Sequence, residues 1–354
     1  MKKYRVYGAW TVAVAAACML LLSTQAFSQG LRAGSAGAQE LLIPVGSVGA
    51  ALGGSDMSYT KGVEALHWNP AGAAVLEKRA EVMVSRLNYI ADIDLNYVAG
   101  VFKAGNFGSI GLSIRTLDFG DIPVTTESSP DGTGEMFSPN YVTLGLSYSR
   151  VMTDKINIGG SAKLISERIM AESAAGMAFD FGVQYNTGRG AMFGVALKNI
   201  GPNMEFDGND LEVFTNDQSN RPDAEGENLR IPLADFELPT TLEIGLAYVA
   251  GFNESNDVTV SGTFMNNNFG LDEYKVAAEY SLNDMFFLRG SYVFGYSEQE
   301  DKLVSSNTSY LFGPAFGAGL NLGLGENFSL SVDYAYRTTE LFSDNQWISI
   351  RMGF

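Results

Sequence analysis

The chain has 354 residues and a formal net charge of −17, from 23 Lys and Arg against 40 Asp and Glu. Such an acidic chain argues against nucleic acid as a partner, because neutralising phosphates requires clustered cations. Its single cysteine and single histidine exclude metal sites built from several such residues, and no metal or other cofactor is expected.

The N-terminus predicts a cleaved secretory signal peptide over residues 1–28. Three cations among the first five residues precede an apolar stretch at 11–22. Ala26 and Ser28 are small residues at positions typical of a cleavage site. The alternative is a membrane anchor, but the apolar stretch is shorter than a span. The only cysteine, Cys18, lies inside this stretch, so the mature chain is expected to be exported without disulfides.

Residues 29–79 form a separate segment without alternating polarity. They are dense in glycine and alanine, especially at 45–54 and 62–72, and such a stretch can lie close against surrounding walls. Asn69, Pro70, Ala71 and Gly72 form a turn by their chemistry, since proline fixes φ and glycine permits positive φ.

From Ala80 to Phe354 apolar and polar residues alternate with a period of two, which predicts two-sided β-strands. We predict about fourteen strands, an even number as in single-chain outer-membrane barrels. Their expected positions are 80–90, 92–103, 107–118, 139–150, 155–169, 176–186, 190–199, 239–250, 257–267, 272–281, 285–296, 310–322, 326–337 and 345–354.

The connections between these strands are unequal. Those after even-numbered strands are short, whereas the long ones, 119–138, 200–238 and 297–309, all follow odd-numbered strands. Short periplasmic turns and long extracellular loops characterise outer-membrane barrels. A soluble β-sandwich, the alternative, does not predict this asymmetry. The fold class is therefore an all-β transmembrane antiparallel barrel in the cell outer membrane.

The charged strand residues lie on the faces opposite the apolar ones. A Lys or Arg facing lipid at mid-membrane would cost about 2–4 kcal/mol, so these charges are expected to point into the lumen. The lumen charges are Arg115, Lys163, Asp180, Glu243, Arg289, Asp333, Arg337 and Arg351. Aromatic girdles at the membrane surfaces are expected from Tyr89, Tyr97, Tyr148, Tyr248, Tyr292, Tyr334 and Tyr336.

Two further segments carry specific expectations. Residues 204–237 contain ten carboxylates and are interpreted as a solvated loop, with binding of divalent cations or lipopolysaccharide left open. The segment lacks the ligand spacing of a calcium loop. The last strand ends in Phe354, which resembles the signal read by the barrel-assembly machinery. That machinery and the lipid of the outer membrane are the expected general partners.

The segment 29–79 resembles the start of the FadL-like barrel superfamily, in which an N-terminal hatch folds inside a fourteen-stranded barrel. The fuller strings at 46–54 and 62–72 resemble the PorV/PorQ family. The hatch-motif residues are Gly49, Gly53, Gly54, Trp68, Asn69, Pro70, Ala71 and Gly72. This resemblance implies a component of type IX secretion that binds the C-terminal signal domain of exported cargo at its extracellular loops. Type IX components and cargo domains would then be its partners.

Three functions follow from these patterns. The first is the secretion-associated carrier, the second is a FadL-like channel for small hydrophobic compounds, and the third is a structural barrel that passes nothing. The chain is short for a fatty-acid transporter and has no obvious large apolar extracellular region.

An enzyme is not expected. A Ser-His-Asp arrangement would have to use His67, which lies in the predicted hatch. The glycines at 317–323 have the wrong spacing for a dinucleotide loop and lie in a predicted strand. The inward charges could form a proton relay, but a structural network in the lumen is the simpler interpretation.

Overall fold

The computed structural model describes residues 35–215, 227–253, 255–297, 302–304, 311–325 and 327–354. The predicted signal peptide, residues 1–28, and residues 216–226 of the acidic loop lie outside the described part.

Fourteen long strands form the wall of a closed barrel within the described residues. The strands are β1 (Ala80–Asn88), β2 (Asp94–Lys103), β3 (Ser109–Asp118), β4 (Asn140–Val151), β5 (Ile156–Ile169), β6 (Glu172–Asn186), β7 (Ala191–Ile200), β8 (Thr241–Gly251), β9 (Asn256–Asn267), β10 (Asp272–Leu282), β11 (Phe286–Ser297), β12 (Phe312–Gly323), β13 (Ser329–Thr339) and β14 (Asn345–Gly353).

Each strand pairs antiparallel with its neighbours in sequence, and β1 pairs with β14 to close the barrel. The predicted fold class is therefore confirmed. Strand ends agree with the prediction to within a few residues, and the largest difference is β6, which begins at Glu172 instead of 176. The missed residues are mostly small, so they carry little hydrophobic alternation. A tight turn with Met170 at φ 55° joins them to β5.

Successive side chains of each strand face alternately outward and into the lumen, so each strand has an apolar face and an inward face. Leu112, Leu146 and Ile348 point outward and each is more than half exposed, whereas Ser147 and Ser349 point inward and are buried. An apolar outer surface of this extent is stable only against hydrocarbon, so the barrel spans a membrane. None of the helices in the described ranges is long and apolar enough to cross a membrane.

The two ends of the barrel differ in their connections. The short-turn end carries the connections that follow even-numbered strands, such as 104–108 and 283–285, and the long-loop end carries the others. Small strand pairs occur in the long loops, among them Ile122–Pro123 with Met136–Phe137. This asymmetry matches the sequence pattern that predicts the extracellular side.

Residues 35–79 lie inside the barrel and are called the plug below. The plug consists of short helical turns that are almost wholly buried. These turns are Gln39–Leu42, Ser47–Ala51, Ser55–Ser58, Gly62–Glu64, Ala65–Trp68 and Pro70–Ala74. None exceeds five residues, because the segment is interrupted repeatedly by glycines with positive φ, including Gly53 and Gly54.

One side of the plug is apolar and packs against β1, β2 and β14. Val63 and Leu66 of the plug belong to the same buried cluster as Met83, Leu95 and Trp347 of the wall. The interior of the barrel is therefore not uniformly polar, because burying apolar wall residues against the plug is favourable.

Two of the tyrosines expected in aromatic girdles lie elsewhere. Tyr97 points into the lumen and is 3% exposed, so its assignment to a girdle is wrong. Tyr89 follows β1 and packs partly buried against the apolar cluster. Tyr148 and Tyr334, in contrast, face outward.

The opposite side of the wall approaches the backbone of the plug at inward-facing glycines. A Cβ atom on Gly159 would lie 2.4 Å from the carbonyl carbon and oxygen of Pro70. A Cβ atom on Gly182 would lie 2.0 Å from Oδ1 of Asn69. The barrel encloses the plug this closely because these wall positions have no side chain.

Candidate functional site

A cavity of about 760 Å³ lies between the plug and the long-loop end of the barrel. Its volume is within the range of about 300–1,000 Å³ that is usual for small-molecule sites. Trp68 and Gly53 of the plug contribute to its lining. Three aromatic pairs lie along it, with centroid separations of 6.4, 4.9 and 5.8 Å, respectively: Tyr89–Phe312, Phe119–Tyr141 and Phe206–Phe236.

Strands β7 to β10 contribute a charged wall to the same cavity. Lys198 Nζ lies 2.8 Å from Oε1 of Glu243, and Lys275 Nζ lies 3.3 Å from Oε2 of Glu273. Because each ammonium group has a carboxylate partner, this wall is close to neutral while remaining polar. The cavity therefore combines an aromatic side with a side of paired charges.

His67 is largely buried but contributes to the lining of the cavity, and it does not have the environment of a catalytic histidine. Its Nδ1 atom lies 2.7 Å from Nη2 of Arg115, and a guanidinium group can only donate. Burial, and then the charge of Arg115, hold the pKa of His67 well below its usual value, so the ring is neutral. A Ser-His-Asp triad needs a carboxylate at Nδ1, and here that position is taken by a cation. Arg115 also donates to the carbonyl oxygen of Glu40, at 2.7 Å, and so ties the plug to β3.

The remaining lumen charges fall into separate groups. Lys163 Nζ lies 2.6 Å from Oδ2 of Asp180 and donates to Oδ1 of Asn199 at 2.8 Å. Arg289 joins two carboxylates, donating to Asp333 at 2.7 Å and to Glu279 at 2.6 Å.

The last two lumen charges, Arg337 and Arg351, make different contacts. The guanidinium of Arg337 lies over the ring of Phe312, 3.7 Å from its centroid. Arg351 donates to Oγ of Ser331 at 3.4 Å. All eight predicted residues thus lie on inward faces of the wall, but they form several local contacts and not one network.

The hatch-motif residues form the centre of the plug. Asn69 is fully buried, donates from Nδ2 to the carbonyl of Met57 at 3.0 Å, and accepts from the amide of Ala71 at 3.1 Å. This second bond caps the turn that begins at Pro70, as expected for an asparagine in that position.

The glycines of the motif allow close contacts within the plug. A Cβ atom on Gly49 would lie 2.0 Å from Nε1 of Trp68, and one on Gly72 would lie 2.1 Å from the carbonyl oxygen of Thr60. A Cβ atom on Gly54 would lie 2.6 Å from the Trp68 ring. These residue types are therefore required by the packing of the plug itself.

Two acidic residues of the plug are buried in low-dielectric surroundings. Burial raises the pKa of Glu64 to about 8, although the charge of Arg351 opposes the shift. Burial likewise raises the pKa of Asp56 to about 7, with the nearby Glu279 acting in the same direction. Both carboxyl groups therefore hold a proton more strongly than ordinary carboxyl groups do.

The wall beside the cavity is interrupted between β11 and β12. These strands pair from Phe286 with Leu320 up to Ser291 with Ala315, and in the described residues no pair joins them above this level. Pro314 has no amide hydrogen to donate there, and the pairing of β12 with β13 is irregular at the same place.

Higher up, β11 pairs instead with Lys302–Val304 of the loop. Val293 on β11 and Phe312 on β12 both line the cavity, so the interruption lies directly beside it. In contrast, β3 is paired with both of its neighbours along its whole length.

Phe354 lies at the short-turn end with its side chain half-exposed. Its amide donates to the carbonyl of Ala80 at 2.9 Å, and the amide of Ala80 donates back at 2.7 Å. The last residue therefore completes the seam between the first and last strands.

The inward faces of the strands carry further charges that were not predicted, although the sequence carries a signal for some of them. Lys275 and Glu279 alternate with Val276 and Tyr280 in β10, which places both on the inward face. Lys198 follows Ala196 on the inward face of β7 in the same way. A search of every predicted strand for inward charges would have found all three.

Comparisons with known proteins show which solved structures have a similar fold. No family model and no curated protein matches the chain. The CymD monoaromatic hydrocarbon channel is similar in structure, with a TM-score of 0.55 and 11% identity over 88% of this chain and 98% of that one. The P. putida toluene transporter TodX gives a TM-score of 0.55 and 14% identity, covering 87% and 98%. A Pseudomonas aeruginosa FadL homologue gives 0.51 and 12%, covering 88% and 98%.

These likenesses establish the FadL-like barrel fold that the hatch resemblance implies. They do not separate the PorV/PorQ family from other proteins of this fold, so that assignment remains a prediction.

Proposed function

We propose that the protein is an outer-membrane channel for small hydrophobic compounds, which enter the cavity from the long-loop end. The observation that carries the proposal is the aromatic-lined cavity lying beside the interrupted β11–β12 wall. This is the second of the functions that the sequence analysis left open, and the geometry favours it over the first.

The cavity suits a small apolar ligand in size and lining. Its three aromatic pairs offer ring faces and edges, which favour flat apolar molecules. Ion pairing of Lys198 and Lys275 leaves no strong net charge on the opposite wall to select an ionic ligand. The neighbours in structure include proteins described as a monoaromatic hydrocarbon channel and a toluene transporter, which agrees with this ligand class.

The interrupted wall offers a route out of the cavity. A hydrophobic compound gains free energy by passing from the cavity into lipid, whereas a fully hydrogen-bonded wall would have to break its pairs to release it. Val293 of β11 and Phe312 of β12 line the cavity on the two sides of the unpaired stretch, which is called the opening below.

Cross-linking the opening is expected to abolish most of the uptake of labelled toluene by cells that carry the protein. A Val293→Cys, Phe312→Cys double variant would be treated with a short bifunctional thiol reagent, and cleavage of the link should restore uptake. The predicted mature chain has no other cysteine. The matched control is Leu117→Cys with Tyr141→Cys, which line the same cavity on strands that are already paired.

Equal loss of uptake in both cross-linked variants would show that the opening has no special role. Absence of any toluene uptake above that of cells without the protein would contradict the channel function itself.

The secretion-associated carrier remains the second candidate, supported by the strings at 46–54 and 62–72. Because glycines such as Gly49 and Gly72 are explained by plug packing, this resemblance is equally compatible with a channel that has the same plug. A strain that lacks the gene is expected, under this second function, to retain type IX cargo unanchored. Normal anchoring of all such cargo would contradict it. In either case we propose that Phe354 acts as the assembly signal.

A further inference from the structure

Four adjacent strands, β14, β1, β2 and β3, carry polar residues on the face that points out of the barrel. In β1, Leu87 points inward and is fully buried, so Arg86 and Asn88 point outward, and both are exposed. The outward polar residues near the long-loop ends of these four strands are called the rim patch below. They are Arg86, Asn88, Asp94, Asn96, Thr116, Asp118 and Gln346.

The rim patch begins closer to the short-turn end than polar outward residues do across the barrel. Arg86 stands six positions after the first residue of β1, and Asn96 stands seven positions before the last residue of β2. On β5, β6 and β8, outward residues at greater distances from the short-turn end are still apolar and exposed. Leu164 stands eight positions after the start of β5, and Met177 and Leu242 stand nine positions before the ends of β6 and β8.

The apolar outer band is therefore shorter over these four strands. The last apolar outward residue is Val84 on β1 and Val98 on β2, and each is four positions closer to the short-turn end than Leu164 on β5 or Met177 on β6. Four residues of a strand tilted by about 45° rise about 9 Å, because each residue adds about 3.3 Å along the strand. In a membrane of uniform thickness the rim patch would lie in hydrocarbon, where an outward Arg is strongly unfavourable.

Two tyrosines of β13, next to the rim patch, mark the same low boundary. Tyr334 and Tyr336 lie on the outward face of β13, and tyrosine rings favour the level of the membrane–water interface. The hydroxyl of Tyr334 donates to Oε1 of Gln346 at 3.2 Å, and the hydroxyl of Tyr336 donates to Asp344. Both hydroxyls therefore contact polar groups of the rim, as expected if the interface lies at this level.

The groups of the rim patch suit contact with water and lipid head groups. Arg86 Nη2 lies 2.6 Å from Oδ2 of Asp94, and Nδ2 of Asn88 donates to Oδ1 of the same carboxylate at 3.0 Å. The Arg86 side chain is nevertheless 60% exposed, so its guanidinium still presents donors to the surroundings. A protein partner fits less well, because protein interfaces are centred on large aromatic or apolar anchors and the patch consists of amides, a hydroxyl and charges.

A polar groove of about 470 Å³ continues the rim patch into the long loops. Asn88, Asp94 and Gln346 of the patch line it together with Asp92 and Asp344 of the adjoining loops. The patch is therefore continuous with a surface that is open to water at the long-loop end, and head groups can reach it from that side.

We propose that the outer leaflet of the membrane is thinner over the rim patch, so that lipid head groups and water contact it instead of hydrocarbon. The pairing of β1 with β14, which closes the barrel, lies within this thinned zone. The contact concerns the outer surface of the barrel, and it does not depend on the hydrophobic-channel function.

Fluorescence quenching by spin-labelled lipids tests which part of the lipid contacts the patch. A fluorophore would be attached to Asn96→Cys in the mature chain, which is expected to have no other cysteine, and the protein reconstituted into bilayers. A nitroxide on the head group is expected to quench it several-fold more than a nitroxide at mid-chain. Leu164→Cys is the matched control, since it also faces outward, and there the order should reverse. Stronger quenching from mid-chain at both sites would overturn the proposal.

Labelling in intact cells tests whether a protein covers the patch instead. A membrane-impermeant thiol reagent is expected to modify Asn96→Cys several-fold faster than Leu164→Cys. Slow modification of Asn96→Cys in cells, with fast modification in bilayers of the purified protein, would reveal a protein partner and contradict the lipid contact. Equally slow modification of both thiols in cells and in bilayers would place the patch in hydrocarbon. Neither experiment uses a hydrophobic ligand, so the outcome is independent of toluene uptake.

Discussion

Replacing Gly159 with alanine is expected to dislodge the plug from the wall, although it adds a single methyl group. The new Cβ atom would lie 2.4 Å from two atoms of Pro70 and 2.6 Å from the amide nitrogen of Ala71. All three belong to backbone, so no side-chain rotation relieves the contact. Overpacking of this kind costs about 1–3 kcal/mol, and more where the neighbours cannot move.

The neighbouring residue provides a matched control. Gly160 precedes Ser161 on the same strand but faces outward, and its nearest contact from a new Cβ atom is 3.4 Å. Gly160→Ala is therefore expected to change stability by less than about 0.5 kcal/mol.

Tryptophan fluorescence during thermal unfolding in detergent measures the difference between these variants. Trp68 lies in the plug and Trp347 contacts it, so the signal reports plug docking. Equal unfolding temperatures for Gly159→Ala and Gly160→Ala would mean that the plug is not held by the wall at Pro70.

The strands were predictable because membrane and lumen impose opposite requirements on alternate residues. In β3, Leu112 and Ile114 face outward while Ser109 and Arg115 face inward, and hydropathy alone separates the two sets. Where both faces carry mostly small residues, as at 172–176 in β6, this signal vanishes, and the predicted start of the strand at 176 is too late.

The plug and the cavity were less accessible to sequence reasoning, for two reasons. Inward apolar residues such as Leu95 and Tyr97 pack against the plug, and their position is set by a contact remote in sequence. The aromatic residues Phe119, Phe206 and Phe236 lie in connections, where no periodicity relates them to each other. The hatch resemblance predicted that a plug exists, but only the contacts at the glycines of the wall show where the plug docks.

Asn69 holds the plug in its docked position against the wall. Its replacement by alanine is expected to destabilise the plug strongly. Its Nδ2 atom faces the carbonyl oxygens of Met57, Val183 and Val195 at 3.0, 3.3 and 3.5 Å. It thereby connects the plug to β6 and β7. Asn69→Ala also leaves the buried amide of Ala71 without its acceptor, which alone costs about 1–3 kcal/mol.

The Asn69→Asp variant separates the hydrogen bond that the side chain accepts from those that it donates. The carboxylate can still accept from Ala71 but would place a negative charge against three carbonyl oxygens. At neutral pH it is therefore expected to be less stable than Asn69→Ala, because an unpaired buried charge costs more than a missing hydrogen bond.

Lowering the pH should reverse that order. Burial raises the pKa of the new carboxyl group in the folded state above its unfolded value, so the stability of Asn69→Asp should rise as the pH falls and the group takes up a proton. The protonated group then donates to one of the carbonyl oxygens, as the amide does. Urea unfolding of both variants at acidic and neutral pH, followed by tryptophan fluorescence, measures the effect.

Asn203→Ala is the control for loss of an asparagine hydrogen bond in general. Asn203 is exposed in the loop after β7 and donates to Asp235 at 2.7 Å. Its replacement should change stability by less than about 0.5 kcal/mol. If Asn69→Ala were as stable as Asn203→Ala, the plug would be held by its apolar side against β1, β2 and β14, and the contacts to β6 and β7 would be dispensable.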